Sequence, residues 1–216
     1  MFTRSLARIA AGLLALLYPA PALATRDDGQ LWFILSGVVP LDDGVSATLE
    51  ASPRLRENAD QLLLRGHVDV RVAQGLDAGG GAAWVEQAGG HEFRVHQQMQ
   101  WTDGPLQLRT RVEQRFFAGA DRAQLRLRQR VQLTLPVAAR LRGVANAELF
   151  YIAVPENRVQ SARVDSWRLN LMANYRLSPR AELGAGYLAI YAPRPGPGPA
   201  GADRLSHVPQ IRLTLR

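Results

Sequence analysis

Arginines at every second position are the side chains of this chain that are best suited to chemistry. They form two ladders, one over residues 109–115 that also holds a glutamate, and one over residues 126–130. A guanidinium group is a planar fork that binds carboxylate or phosphate through two parallel hydrogen bonds. Such ladders can pair with glutamates to fill a narrow interior, or they can favour anions inside it. Three later polar or charged residues, Glu148, Arg168 and Asn170, are predicted to face inward with them. The full predicted inward-facing set is Arg109, Arg111, Glu113, Arg115, Arg126, Arg128, Arg130, Glu148, Arg168 and Asn170.

The spacing of the arginines indicates the element that positions them, because side chains of a β-strand alternate between two faces. Residues 106–117 and 123–135 carry arginines on one face and apolar side chains on the other. A sheet with this pattern separates an apolar environment from an aqueous one. The apolar face comprises Leu106, Leu108, Val112, Phe116, Leu125, Leu127, Val131, Leu133 and Leu135.

The same alternation recurs along most of the chain and predicts eleven strand segments, none with a helical period. Short turns such as 74–75 alternate with connections that include long ones at 152–164 and 192–204, as in outer-membrane barrels. Because bacterial single-chain barrels usually have an even number of strands, we expect ten to twelve strands, with twelve as the best estimate. The segments are 30–39, 45–56, 61–73, 76–86, 91–101, 106–117, 122–135, 140–151, 165–177, 181–191 and 205–216.

The apolar face could contact lipid or, in a soluble barrel, the protein's own core. Small residues on it, such as Ala78, Gly80 and Ala82, favour lipid because a protein core would need filling there. The predicted fold class is therefore all-β, a closed antiparallel transmembrane β-barrel. Membrane barrels also place aromatic girdles at both interfaces. The predicted interface aromatics are Trp84, Phe93, Phe116, Tyr151, Trp167 and Tyr191 at the long-loop rim, with Trp101 and Tyr175 toward the short-turn rim.

Residues 1–24 have the composition of a cleaved secretory signal peptide. Arg4 and Arg8 precede a short apolar run, and Ala22-Leu23-Ala24 forms a small-residue cleavage site. The apolar run is shorter than the roughly 20 residues that a membrane-spanning helix needs. We therefore expect residues 25–216 to form the mature barrel domain, located in the bacterial outer membrane.

The composition excludes several classes of site. The chain has no cysteine, and its 26 basic residues, all of them arginine, exceed its 19 acidic residues to give a net charge of +7. Disulfides and thiolate metal sites are thereby excluded. A high isoelectric point can indicate nucleic-acid binding, but arginines that alternate along strands behind an export signal argue against that partner. His96 has no Asp, Glu or Cys at a useful ligand spacing, and the chain has no phosphate-binding glycine loop, so we expect no metal and no other cofactor.

Several short motifs, taken in order, resemble the bacterial outer-membrane family known as domain of unknown function 2490. The resemblance covers about the whole mature chain. It implies a transmembrane barrel, and it implies neither a settled activity nor any catalytic residue. The motifs are Gln30-Leu31-Trp32, residues 91–98, residues 108–116, Glu148-Leu149-Phe150, residues 168–171, 174–179 and 183–187, and His207-Val208.

The inward charges support two interpretations of function. One is a structural envelope component whose Arg–Glu clusters fill the lumen, and the other is a small passive pore that favours anions. The alternatives are an outer-membrane lipid-modifying hydrolase and a soluble periplasmic lipocalin-like binding barrel. A hydrolase would need a nucleophile–base pair, and two residues among Ser166, Ser206 and the histidines His67, His91, His96 and His207 could form one. No spacing demands such a pair, and the adjacent Ser206 and His207 would face opposite sides of a strand.

We therefore expect a protein without catalytic residues that works as a monomer. Its expected partners are outer-membrane lipids, lipopolysaccharide and the outer-membrane assembly machinery.

Overall fold

The computed structural model describes residues 25–57, 59–193 and 202–216, and these residues form one closed sheet. The signal-peptide prediction concerns residues 1–24, which lie outside the described residues. Within the described ranges, no helix is long and apolar enough to cross a membrane. The strands are β1 (Thr25–Asp42), β2 (Val45–Arg56), β3 (Gln61–Ala73), β4 (Leu76–Gln87), β5 (Gly90–Asp103), β6 (Leu106–Phe117), β7 (Gln124–Ala138), β8 (Leu141–Val154), β9 (Arg163–Ser178), β10 (Ala181–Ala192) and β11 (Asp203–Leu215).

The predicted all-β closed barrel is confirmed, and each of the eleven predicted segments overlaps one strand. The best estimate of twelve strands was one too many. It followed the even-number rule and sought a further strand in 152–164, where residues 155–162 instead connect β8 to β9. The strand number is therefore the number that the alternation itself predicted.

An odd number of strands determines how the barrel closes. Consecutive strands are antiparallel and alternate in direction, so the first and last of eleven must point the same way. β1 and β11 accordingly pair in parallel, from Thr25 opposite Asp203 to Gly37 opposite Leu215. The expectation of a wholly antiparallel barrel is corrected at this one seam. Closure is still essential in lipid, where each unpaired backbone group would cost several kcal/mol.

The two rims of the barrel differ in the length of their connections. At one rim all the turns have two residues, and Gly44 and Gly75 in two of them have φ of 74° and 71°. Glycine adopts this backbone region readily, and two-residue hairpin turns favour it. The N-terminal residue of β1 and the C-terminal residue of β11 lie at opposite rims. The connections at the other rim are longer on the whole: 57–60, 88–89, 118–123, 155–162 and 193–202.

The two faces of the sheet differ as strongly as the rims. Leu49 and Leu171 on the outer face are 66% and 64% exposed, whereas Arg111 and Glu113 on the inner face are 1% and 2% exposed. The inner face also carries an apolar patch where β1, β10 and β11 meet. It consists of Trp32, Leu188, Ile190 and Val208.

A pair of variants tests which face contacts lipid. Leu171 and Asn170 are neighbours near the middle of β9, the first on the outer face and the second lining the interior. We expect Leu171→Arg to lower the free energy of unfolding in phospholipid vesicles by about 2–4 kcal/mol, the cost of arginine at the bilayer midplane. Asn170→Arg adds the same charge to an aqueous lumen and should cost less. Equal losses in urea titrations of the two variants would contradict the assignment of faces.

Candidate functional site

The barrel encloses a cavity of about 470 Å³, which is within the usual range for small-molecule sites. Its lining extends from Arg56 and Arg204 near the long-loop rim to Asn174 and Arg212 near the short-turn rim. Twelve arginines and only four acidic residues are among the described residues that line it. The cavity is therefore strongly cationic.

An ion-pair chain crosses the inner faces of β6, β7 and β8 and consists of Arg126, Glu113, Arg128, Glu148 and Arg109. Glu113 accepts hydrogen bonds from Arg126 Nη2 at 2.5 Å and from Arg128 Nη1 at 2.6 Å. Glu148 accepts from Arg128 Nη2 at 2.9 Å and from Arg109 Nη2 at 2.8 Å. Arg128 thus joins the two carboxylates. The ion-pair chain links three neighbouring strands on the inside of the barrel, so these charged side chains have a structural role.

A second polar network narrows the lumen along β3 to β6. Arg111 donates to Gln98 Oε1 at 2.6 Å, and the Gln98 amide donates to Asp69 Oδ1 at 2.7 Å. Gly79 on β4 lies against this network, and a Cβ added there would collide with the Asp69 carboxylate. The absence of a side chain on this glycine makes room for the network. The cavity is consequently displaced toward β1, β2 and β7 to β11.

Glu92 on β5 is a buried carboxylate that the predicted set omitted. It accepts hydrogen bonds from Arg94 Nη2 at 2.7 Å and from Arg115 Nη2 at 3.0 Å. Arg115, which was predicted to face inward, also donates to Gln124 at 2.6 Å. Glu92 and Arg94 stand on one face of the strand at spacing two, the same signal that identified the arginine ladders.

Half of the cavity-lining arginines form no ion pair with a described carboxylate. Arg130 donates to Gln107 at 2.5 Å, but its Nε is buried without an acceptor. The Nε atoms of Arg168 and Arg212 are buried in the same way. These guanidinium groups carry charge that the protein itself leaves available in the cavity. The six residues are Arg54, Arg56, Arg130, Arg168, Arg204 and Arg212.

Two of these arginines lie against aromatic rings. The guanidinium carbon of Arg54 is 3.9 Å from the centroid of Trp32, and that of Arg168 is 4.0 Å from the centroid of Phe150 and 5.9 Å from Trp32. In the sequence both rings stand within family-like motifs, and their spacing did not mark them as site residues. Trp32 follows Leu31 and precedes other apolar residues, so no alternation showed which way it faces.

The sequence-predicted aromatics all lie on the outer face of the barrel. Tyr151 and Tyr191 are partly buried there, and Tyr191 donates to Asp203 at 2.5 Å. Phe93 and Phe116 pair across strands with ring centroids 6.2 Å apart. These two phenylalanines are 39–45% exposed. The same holds for the remaining members of the set, which are Trp84, Trp101, Trp167 and Tyr175.

Two of the residues considered for hydrolysis, Ser206 and His207, lie on opposite faces of β11. Ser206 donates to Asp28 at 2.9 Å inside the barrel, while His207 contacts the hydroxyl of Tyr187 outside it. They therefore do not form a nucleophile–base pair. Among the described residues, no group of three histidine or acidic side chains is arranged to hold a metal ion.

Residues 29–199 match a family model described as "Protein of unknown function (DUF2490)". The chain belongs to the DUF2490 family. This confirms the resemblance that its motifs indicated. A solved structure described as "NanC porin structure in rhombohedral crystal form" is similar to this DUF2490 barrel with a TM-score of 0.58 and 10% identity. The match covers 84% of this chain and 90% of that one, and at this identity it shows the fold alone. A search of curated proteins found no match.

The ion-pair chain can be tested through its shared carboxylate. Glu148→Gln leaves Arg109 without a carboxylate in a buried site and leaves Arg128 with Glu113 alone, and we expect the free energy of unfolding to fall by about 3–5 kcal/mol. The control is Asp77→Asn, which breaks the Arg71–Asp77 pair at 3.7 Å, whose arginine is exposed and whose aspartate is partly buried, and it should cost less than about 1 kcal/mol. Urea titrations in detergent or vesicles give both values. If Glu148→Gln lowers the free energy of unfolding by as little as Asp77→Asn does, the ion-pair chain does not stabilise the barrel.

Proposed function

We propose that this DUF2490 protein is an outer-membrane barrel that acts as a small, passive, anion-favouring pore. The observation that carries the proposal is the charge imbalance of its cavity, where twelve arginines accompany four acidic residues. Arginine rings suit anion and phosphate pores. The lining residues reach toward both rims, so a solute can meet cationic groups along most of the path.

The location in a membrane is supported by the distribution of apolar side chains. Large apolar residues cover the outer face, including Leu49 and Leu171, while the interior holds the ion-pair chain. A soluble lipocalin-like barrel has the opposite arrangement, with its apolar face inside. Aromatic residues toward both rims on the outer face suit the two lipid–water interfaces. We propose the lipids and lipopolysaccharide of the outer membrane as the molecules that surround this surface.

A purely structural interior accounts for only part of the charge. Burying a cation without a partner is costly. If the interior side chains served only to fill the barrel, we would expect each charged group to have a partner of opposite charge. Each arginine of the ion-pair chain, and each of Arg94 and Arg115 beside Glu92, lies within ion-pair distance of a carboxylate. The six unpaired arginines have no such partner among the described residues, and they line the same open cavity. Anions from the aqueous phase are the natural counter-charge for them.

Conductance across planar bilayers tests this function. In a potassium chloride gradient the purified protein should give discrete current steps, with a reversal potential displaced toward that of chloride. Arg212→Gln should lower the chloride-to-potassium permeability ratio by up to about fivefold, because a guanidinium about 4 Å from an anion contributes about 1 kcal/mol in water.

The matched control is Arg158→Gln, which removes the same charge from the exposed loop 155–162 and should change the permeability ratio much less. Absence of current steps over a wide voltage range, or a preference for potassium, would overturn the proposal.

A further inference from the structure

Two unpaired guanidinium groups converge on one indole ring inside the lumen. We call this the arginine–aromatic cluster and define it as Trp32, Arg54, Phe150 and Arg168. All four side chains line the cavity. They come from β1, β2, β8 and β9, so the cluster exists only in the closed barrel.

The indole of the cluster is held in place by a chain of hydrogen bonds. Trp32 Nε1 donates to Gln30 Oε1 at 2.9 Å, and the Gln30 amide donates to Asp28 Oδ2 at 2.6 Å. The Ser206 hydroxyl donates to the same Asp28 oxygen at 2.9 Å from across the β1–β11 seam. Trp32 is only 6% exposed. A ring fixed in this way supports a guanidinium without requiring a carboxylate beside it.

Two arginines that lie over the Phe150 ring differ in their hydrogen-bond partners. Arg128 and Arg168 both lie over this ring, at 4.3 and 4.0 Å from its centroid. Arg128 is bound to the carboxylates of Glu113 and Glu148. Arg168 has no hydrogen-bond acceptor among the described residues, and its Nε is buried and unsatisfied. Its two terminal nitrogens also have no partner among the described residues, and because Arg168 lines the cavity they are available to a solute.

We propose that the arginine–aromatic cluster binds the oxyanion group, carboxylate or phosphate, of a small solute in the lumen. Stacking on a ring leaves the in-plane N–H groups of a guanidinium for other partners, and their fork geometry matches two oxygens of such a group. Arg168 keeps both terminal nitrogens for a solute. Arg54 donates from Nε to Ser52 at 3.5 Å and from Nη1 to Gln61 at 2.8 Å, and it keeps Nη2. Chloride has no such pair of oxygens. The inference deepens the proposed pore function by naming the solute class, and it rests on the lumen being open to solutes.

The cluster contains its own spectroscopic reporter. The chain has four tryptophans, and Trp84, Trp101 and Trp167 are 39–42% exposed on the outer face, whereas Trp32 lies inside. Full-length folded protein in detergent is titrated with sodium phosphate, with sodium acetate and, at equal ionic strength, with sodium chloride. We expect a saturable change in tryptophan emission with phosphate or acetate and no saturable change with chloride. Trp32→Phe should abolish the change.

Variants separate a specific site from general attraction of anions. Arg168→Gln and Arg54→Gln should each raise the half-saturating phosphate or acetate concentration by about tenfold or more, as expected for loss of charge-assisted hydrogen bonds. Arg212→Gln removes the same charge from the cavity near the short-turn rim, and it should raise the half-saturating concentration much less. Folding of each variant is checked by the difference in gel mobility between boiled and unboiled samples.

Oxyanion binding and pore conductance are tested separately, because the fluorescence titration does not depend on a current. Equal responses to chloride and to both oxyanions would overturn the cluster as an oxyanion site, even if current steps are seen. The same holds for equal shifts in folded Arg168→Gln and Arg212→Gln. Oxyanion binding with bilayers that stay silent would overturn the pore and leave the cluster as a binding site.

Discussion

The structure depends on one constraint: a β-strand presents alternate side chains to opposite faces, and closing the sheet turns one of those faces into an enclosed interior. Every guanidinium on the inner face must then find a carboxylate, an amide, an aromatic ring or a solute. Closure with eleven strands adds a parallel seam between β1 and β11. That seam brings Ser206 to Asp28, and the same contact begins the hydrogen-bond chain that orients Trp32. Topology and interior chemistry are therefore connected at the seam.

The interior divides its arginines between two tasks. Arg126, Arg128 and Arg109 are engaged by Glu113 and Glu148 and link β6 to β8. The arginines without carboxylates line the same cavity, and two of them are supported by rings instead of by acids. Aromatic support keeps a guanidinium in position and leaves its charge uncompensated, which no ion pair can do. The network beside the β4 glycines narrows the lumen on one side and leaves the remaining space next to these free cations.

Much of the fold could be predicted from local pattern, because alternation with a period of two is visible within each segment. It indicated all eleven strands and the faces of Arg109 and Leu127, whereas the general preference for even numbers added a twelfth. The contacts within the site could not be predicted in the same way. Strand register places Arg168 opposite Glu148, yet Arg128 and Arg109 occupy that carboxylate and Arg168 lies over Phe150. Such choices depend on side chains that meet across the barrel. Trp32 was missed because apolar residues surround it in sequence.

We propose that the polar face encloses a cationic aqueous lumen while the other face contacts lipid. The chain has no cysteine, so single cysteines can report on each face in outer-membrane vesicles. Asn146 lines the cavity, and its neighbour Ala145 is exposed on the outer face. Water-soluble methanethiosulfonates should modify Asn146→Cys, faster with a sulfonate-bearing reagent than with an ammonium-bearing one, and should leave Ala145→Cys unmodified. Labelling of Ala145→Cys with protection of Asn146→Cys would mean that the two faces are reversed, and faster reaction with the cationic reagent would mean that the lumen does not favour anions.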